Sequence, residues 1–102
     1  MSSESRPIQL SDFVVAIQDL SDENLLSLQR QLTTSTQKLK ETNSLLEVEI
    51  THTKDEDELK LYKETIDENH VVLMSQQRRL DALEEELMSR GLAQKDEKGV
   101  YL

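Results

Sequence analysis

Side chains that commonly carry out chemistry are sparse in this sequence. The chain has two histidines and no cysteine, so disulfides and thiolate chemistry are excluded. His52 lies close to Asp55 and Glu56, but a metal site needs three or four converging ligands. There is also no H-E-x-x-H motif and no glycine-rich phosphate loop. We therefore expect a chance acidic loop at His52, a solvated His70, no enzyme activity and no cofactor.

Charge and hydropathy narrow the class of protein further. The net charge is −9, and no basic stripe is present that could displace the counterions of a nucleic acid. No stretch approaches the roughly 18 apolar residues of a membrane span, and the polar N-terminus lacks the apolar run of a signal peptide. We expect a cytoplasmic or nuclear protein that binds neither nucleic acid nor membrane and whose acidic surface favours basic partners.

The composition and the positions of glycine and proline predict the fold class. Aromatic residues make up 3% of the chain, too little for a thick globular core, and the glycines and the proline lie near the ends. We predict an all-α fold, a long antiparallel two-helix coiled-coil hairpin preceded by a short N-terminal helix. The predicted segments are a disordered N-terminus (1–7), the short helix (8–20), the hairpin (21–90, with its turn at about 51–56) and a flexible tail (91–102).

Capping residues mark the predicted helix ends. Ser11 and Ser21 are good N-caps for the first and second helices, because a serine hydroxyl can accept a hydrogen bond from a free backbone N–H. The acidic residues 55–58 suit the first turn of the third helix, where they face the positive end of the helix dipole. Gly91 is suited to a left-handed position just after that helix.

Heptads of leucine and isoleucine run along both long helices, at Leu25, Leu32, Leu39 and Leu46 and then at Leu59, Ile66, Leu73, Leu80 and Leu87. The predicted register pairs Leu39 with Asn69, Thr42 with Ile66 and Leu32 with Gln76, so every layer holds a leucine or an isoleucine. We interpret the polar residues as specifying register; the alternative is a loose middle that a partner helix completes. A monomeric hairpin is favoured over a homodimer.

Several apolar residues fall outside this heptad stripe. The first helix is too short to reach Leu61, and it barely reaches Val71 and Val72. An apolar set of this kind along one helix face indicates a binding site. The predicted partner-binding residues are Phe13, Ile17, Leu61, Tyr62, Val71, Val72 and Met74.

Three blocks of the sequence carry a family resemblance: "RPIQLSDFVVAIQDLSDENL", "LKLYKETIDENHVVL" and "RRLDALEEEL". They resemble the ATPase-dedicated proteasome assembly chaperones of yeast, a family of translation-machinery-associated proteins. The resemblance covers about residues 6–86 and departs from the family in the turn and the tail. It implies a non-enzymatic chaperone of the proteasome regulatory-particle base. Such a chaperone binds the N-terminal coiled-coil region of an AAA-type ATPase subunit and promotes its pairing with a neighbouring subunit.

Two other functions fit the helical pattern. A structural coiled-coil subunit of a stable complex would show the same periodicity. A prefoldin-like holdase would also be a helical hairpin, but it would place strands between its helices, and the turn has no strand character. The C-terminal Val100, Tyr101 and Leu102 are similar to tails that dock into the proteasome core particle, while an unstructured chain end is the competing interpretation.

Overall fold

The computed structural model describes residues 8–92, which form three α-helices. The helices are α1 (Leu10–Ile17), α2 (Asp22–His52) and α3 (Glu56–Ser89). No strand occurs among the described residues, so the prediction of an all-helical protein is confirmed. The predicted disordered N-terminus (1–7) and the tail motif at Val100, Tyr101 and Leu102 lie outside the described residues.

The start of α1 differs from the prediction. Its first backbone bond runs from Phe13 N to Gln9 O at 2.9 Å, so Gln9 is the N-cap and Ser11 lies inside the helix. Gln9 makes no capping bond with its side chain. The prediction of a Ser11 cap is therefore wrong, because the first helical bond forms two residues earlier than the serine would require. The helix is also shorter than the predicted 8–20, since it ends at Ile17.

The caps of the two long helices are close to the prediction. Ser21 Oγ accepts a hydrogen bond from Asn24 N at 3.1 Å, as expected for the N-cap of α2. Asp55 caps α3 with a carboxylate oxygen that accepts from Asp57 N at 2.9 Å and from Glu58 N at 3.4 Å. Only residues 53–55 separate the two helices, so the connection is shorter than the predicted turn.

Gly91 ends α3 as predicted. Its φ angle is 77°, a left-handed conformation that glycine adopts without a Cβ clash. This conformation lets Leu92 N donate to Leu87 O at 2.8 Å and Gly91 N donate to Met88 O at 3.0 Å. The two bonds satisfy carbonyls that the end of the helix would otherwise leave unpaired.

Hydrogen bonds between α2 and α3 fix how the two helices are paired. Asn69 Nδ2 donates to Asn43 Oδ1 at 2.9 Å, and Thr36 Oγ1 donates to Gln76 Oε1 at 3.1 Å. The partner on α3 moves towards its N-terminus as α2 advances, which is consistent with a helical hairpin. The predicted register is wrong, because Asn69 faces Asn43 instead of Leu39.

The physical reason for the observed register is that it matches polar with polar and apolar with apolar residues. A buried amide that faces leucine loses its hydrogen bonds to water and gains none, whereas two facing amides can bond to each other. Extended along the helices from the Asn43–Asn69 and Thr36–Gln76 bonds, the register sets Leu39 level with Leu73. The second seam column of α2 therefore contains the buried Thr36 and Asn43 in place of the predicted Ser35 and Thr42.

The core lies at the end of the hairpin that carries α1. Ile17, Leu25, Leu83 and Leu87 form one buried cluster, and partly buried side chains of all three helices pack around it. The full set of surrounding residues is Phe13, Leu20, Leu26, Leu28, Leu32, Leu80 and Ala82. The core positions α1 against α3 and leaves the rest of α3 uncovered by α1.

Candidate partner-binding surface

Arg79 holds the N-terminal part of α1 against α3. Its guanidinium carbon lies 5.6 Å from the centroid of the Phe13 ring, which is within the range of a cation–π contact. The same guanidinium donates to Ile8 O and to Ser75 Oγ. The face of α3 that carries Arg79 is therefore the face on which α1 lies.

Arg90 holds the other end of α1 and its junction with α2. Its guanidinium donates to three main-chain carbonyls, those of Ile17 (3.3 Å), Gln18 (3.1 Å) and Leu20 (2.8 Å). It also forms 2.8 Å ion pairs with Asp22 and Glu86. The hydrogen bond that Arg90 donates to Asp22, followed by the one it donates to Glu86, raises the pKa of Arg90. Sequence reasoning missed this role, because the carbonyl partners are far away in the chain.

Leu61 and Val72 lie on the α1-bearing face of α3, beyond the end of α1. They are separated by about three helical turns, and Val72 precedes Arg79 by about two turns, so all three share one face. Leu61 is 57% exposed and Val72 is 42% exposed. We call this line of residues, from Leu61 through Thr65, Glu68 and Val72 to Ser75, the α3 stripe. Glu68 is exposed and lies within about 40° of both Leu61 and Val72 around the helix. Its exposure agrees with the expectation that α1 is too short to cover it.

Val71 and Met74 are also exposed, but the helix places them elsewhere. Successive residues are about 100° apart around an α-helix, which puts Val71 about 100° and Met74 about 160° from Val72. The predicted binding residues of α3 therefore do not form one patch. Leu61 and Val72 share a face with α1, and Met74 faces almost the opposite way.

The remaining predicted binding residues are partly or fully buried. Ile17 is only 3% exposed and belongs to the core cluster, so it is not part of an exposed surface. Phe13 is partly buried against that cluster. Tyr62 is half-buried near the turn, and nearby carboxylates, Glu58 above all, raise its pKa.

α2 carries exposed apolar residues that sequence reasoning did not single out. Leu45 and Val48 are both more than half exposed, and they line a shallow groove together with Lys40, Glu41 and Ser44. Residues of α2 alone line this groove, on the side away from the seam. These positions belong neither to the leucine heptads nor to the helix caps. Plotting α2 on a helical wheel would have shown two apolar residues on its outer face.

The half of the hairpin near the turn is strongly acidic. Residues 41–69 hold ten carboxylates and three lysines, a net charge of −7 out of −9 for the whole chain. Asp57 precedes Leu61 by about one turn and borders the α3 stripe, while Glu68 lies within the stripe about one turn before Val72. Lys60 and Lys63 lie about 100° and 160° around the helix from Leu61. Carboxylates therefore predominate around the exposed apolar residues of the α3 stripe.

No metal centre or membrane span is found in the described part of the chain. Between residues 8 and 92 there is no group of three or more histidine or acidic side chains arranged to hold a metal ion. His52 is the last residue of α2 and its Nδ1 lies 2.9 Å from Val48 O, while His70 is exposed. None of the helices within this range is long and apolar enough to cross a membrane.

The fold and surface define a helical-hairpin protein with an uncovered apolar stripe. Residues 9–94 match the TMA17 helical domain. The chain is also similar to translation machinery-associated protein 17 of Saccharomyces cerevisiae, with 30% identity over 102 residues that span 83% of this chain and 68% of the yeast protein. The chain belongs to the TMA17 family, which confirms the resemblance to translation-machinery-associated proteins drawn from the sequence.

Proposed function

We propose that this protein is an assembly chaperone of the base of the proteasome regulatory particle. It binds the N-terminal coiled-coil region of an AAA-type ATPase subunit and promotes the pairing of that subunit with a neighbouring one. It acts by stoichiometric binding and release, as a monomeric hairpin in the cytoplasm or nucleus. The family membership and the sequence resemblance support this role.

The observation that carries the proposal is the α3 stripe. Leu61 and Val72 are exposed on the face where α1 packs further along the helix. Amphipathic helices bind by placing their apolar side against exposed apolar residues of a partner. A coiled-coil segment of an ATPase subunit offers an apolar side of this kind.

The test is a pull-down of the full chain against the N-terminal segment of each proteasomal ATPase subunit, one at a time. We expect one-to-one capture of one segment, and absence of the chaperone from the mature regulatory particle. Failure to capture any segment would contradict the proposal. Constant co-purification with a finished complex at fixed stoichiometry would favour the structural-subunit alternative.

The prefoldin-like alternative fits the described residues less well. Such holdases place strands between their helices, and residues 53–55 join α2 to α3 here without any strand. The docking of the C-terminal Val100–Leu102 onto the core particle is a separate proposal. Deleting these three residues would remove core-particle binding if the tail docks, and unchanged binding would rule that role out.

A further inference from the structure

We infer that the α3 stripe binds a basic amphipathic helix, which lies along α3 in line with α1. This inference rests on the proposed function, since it takes the partner to be a helix and specifies its chemistry and position. The occupant carries apolar side chains towards Leu61 and Val72, with lysine or arginine placed to meet Glu68 between them and Asp57 and Glu64 at one side.

The partner is expected to lie next to α1, on the same face of α3. α1 already packs on the face of α3 that carries Arg79, and Val72 lies about two turns before Arg79 on that face. Leu61 lies about 16 Å further towards the turn. A partner helix of about three turns therefore fits on the uncovered part of the face without displacing α1.

The hydroxyl groups of the α3 stripe already have hydrogen-bond partners within the chain, which leaves the Glu68 carboxylate to meet a cation of the partner. Thr65 Oγ1 donates to Leu61 O at 2.9 Å, and Ser75 Oγ accepts from Arg79 at 2.6 Å. An apolar helix side can cover these residues without leaving a buried hydroxyl unpaired, which would otherwise cost binding free energy. The small side chains of Thr65 and Ser75 also permit a close approach.

Charge complementarity selects a basic partner. Asp57, Glu64 and Glu68 lie within about one turn of Leu61 or Val72. No ion pair joins any of the three to another residue between 8 and 92, where both ion pairs involve Arg90. A basic helix would place its cations beside these carboxylates, whereas an acidic helix would be repelled. The same carboxylates disfavour a second copy of this acidic chain as the occupant.

The test uses two synthetic helical peptides with the same apolar positions, one flanked by lysine and arginine and the other by glutamate. Binding to the full chain is measured by fluorescence anisotropy at low and high salt. We expect the basic peptide alone to bind, with affinity that falls as salt rises. Val72→Asp should weaken binding by about tenfold or more, and the control Met74→Asp, on the opposite side of α3, should not.

A second pair of variants tests the charge. Glu68→Lys and Asp67→Lys change the net charge equally, but Asp67 lies about 140° from Val72 around the helix. We expect Glu68→Lys to weaken binding of the basic peptide more than Asp67→Lys does. Equal effects of the two variants, equal binding of both peptides or no binding of either would overturn the inference. A wild-type dimer that Val72→Asp dissociates in sedimentation would also overturn it.

The inference and the proposed function can fail separately. If Val72→Asp captures an ATPase segment as well as the wild type does, this surface is wrong and the chaperone role stands. If the wild type captures no ATPase segment while the basic peptide binds at Val72, the chaperone role is wrong and the surface stands. Circular dichroism of each variant shows whether the helices are retained.

Discussion

The two halves of the hairpin are built differently. At the α1 end, three helices enclose fully buried leucines and Arg90 bonds to the junction of α1 and α2. Towards the turn, two helices meet through the buried Ile66 and through amide and hydroxyl pairs, and leucine and valine side chains stay exposed. The difference shows that fully buried apolar side chains are concentrated in the α1 half, while most of the α3 stripe that we propose as a binding surface lies in the other half.

The largest expected contrast is between a leucine of each half. Leu87 is fully buried in the core cluster, so Leu87→Ala should lower the free energy of unfolding by about 2–5 kcal/mol. Leu61 is exposed, and Leu61→Ala should change it by less than about 0.5 kcal/mol. Urea unfolding followed by circular dichroism measures both. Similar losses for the two variants would show that the halves do not differ in this way.

The polar seam gives the next largest effect. Asn69→Leu removes the donor to Asn43 Oδ1, while Asn43 Nδ2 is already buried without a partner. We expect the single variant to lower the free energy of unfolding by about 1–3 kcal/mol. The double variant Asn43→Leu/Asn69→Leu should recover this loss, because two apolar residues then face each other. If the double variant is less stable than the single one, the two asparagines are not paired as described.

Gly91 offers a smaller test of the α1 end. Its φ of 77° is unfavourable for residues with a Cβ. Gly91→Ala should therefore lower the free energy of unfolding by about 1 kcal/mol. No atom lies within 4 Å of the added methyl group, so the cost comes from the backbone and not from a clash. Gly91→Asn, which tolerates this conformation better, should lose less. Equal losses would mean that the left-handed conformation is not what matters.

Tyr62 gives the smallest effect, in the acidic half. Glu58 and its neighbours raise the pKa of Tyr62 above its ordinary value of 10.0, so the folded state favours the neutral phenol. The contribution of the neutral Tyr62 phenol to folding stability is complete below pH 10.0, and it is lost as the pH rises through the raised pKa. Urea unfolding at increasing alkaline pH should show a steeper decline for the wild type than for Tyr62→Phe. If the free energy of unfolding falls equally steeply with pH in the wild type and in Tyr62→Phe, the carboxylates do not act on Tyr62.

Much of the hairpin could be predicted from the sequence. Ser21, the acidic residues at the start of α3 and Gly91 set three helix ends through local chemistry, and the heptads of α3 identify its seam. The register could not be predicted, because Ser35 and Thr36 are adjacent polar residues, as are Thr42 and Asn43. Hydropathy alone does not choose between them. In the structure Gln76 bonds to both Ser35 and Thr36, and Thr36 and Asn43 are the more buried residue of each pair.

The candidate surface was predictable only in part. The short first helix correctly suggested that Leu61 and Val72 stay exposed. Assigning Val72, but not Met74, to the α1-bearing face requires knowing on which side of α3 the helix α1 lies. Arg79 and Phe13 establish that side through a contact between residues distant in sequence. Arg90 was equally hard to foresee, since most of its partners are main-chain carbonyls that no residue type reveals.

The most direct test of the central claim compares Val72→Asp with Met74→Asp in binding the N-terminal segment of a proteasomal ATPase subunit. Both variants place one new carboxylate on an exposed position of α3, on nearly opposite sides. We expect Val72→Asp to lose binding by about tenfold or more with unchanged helicity, and Met74→Asp to bind like the wild type. Equal binding by the two variants, or a loss with Met74→Asp alone, would contradict the assignment of the α3 stripe.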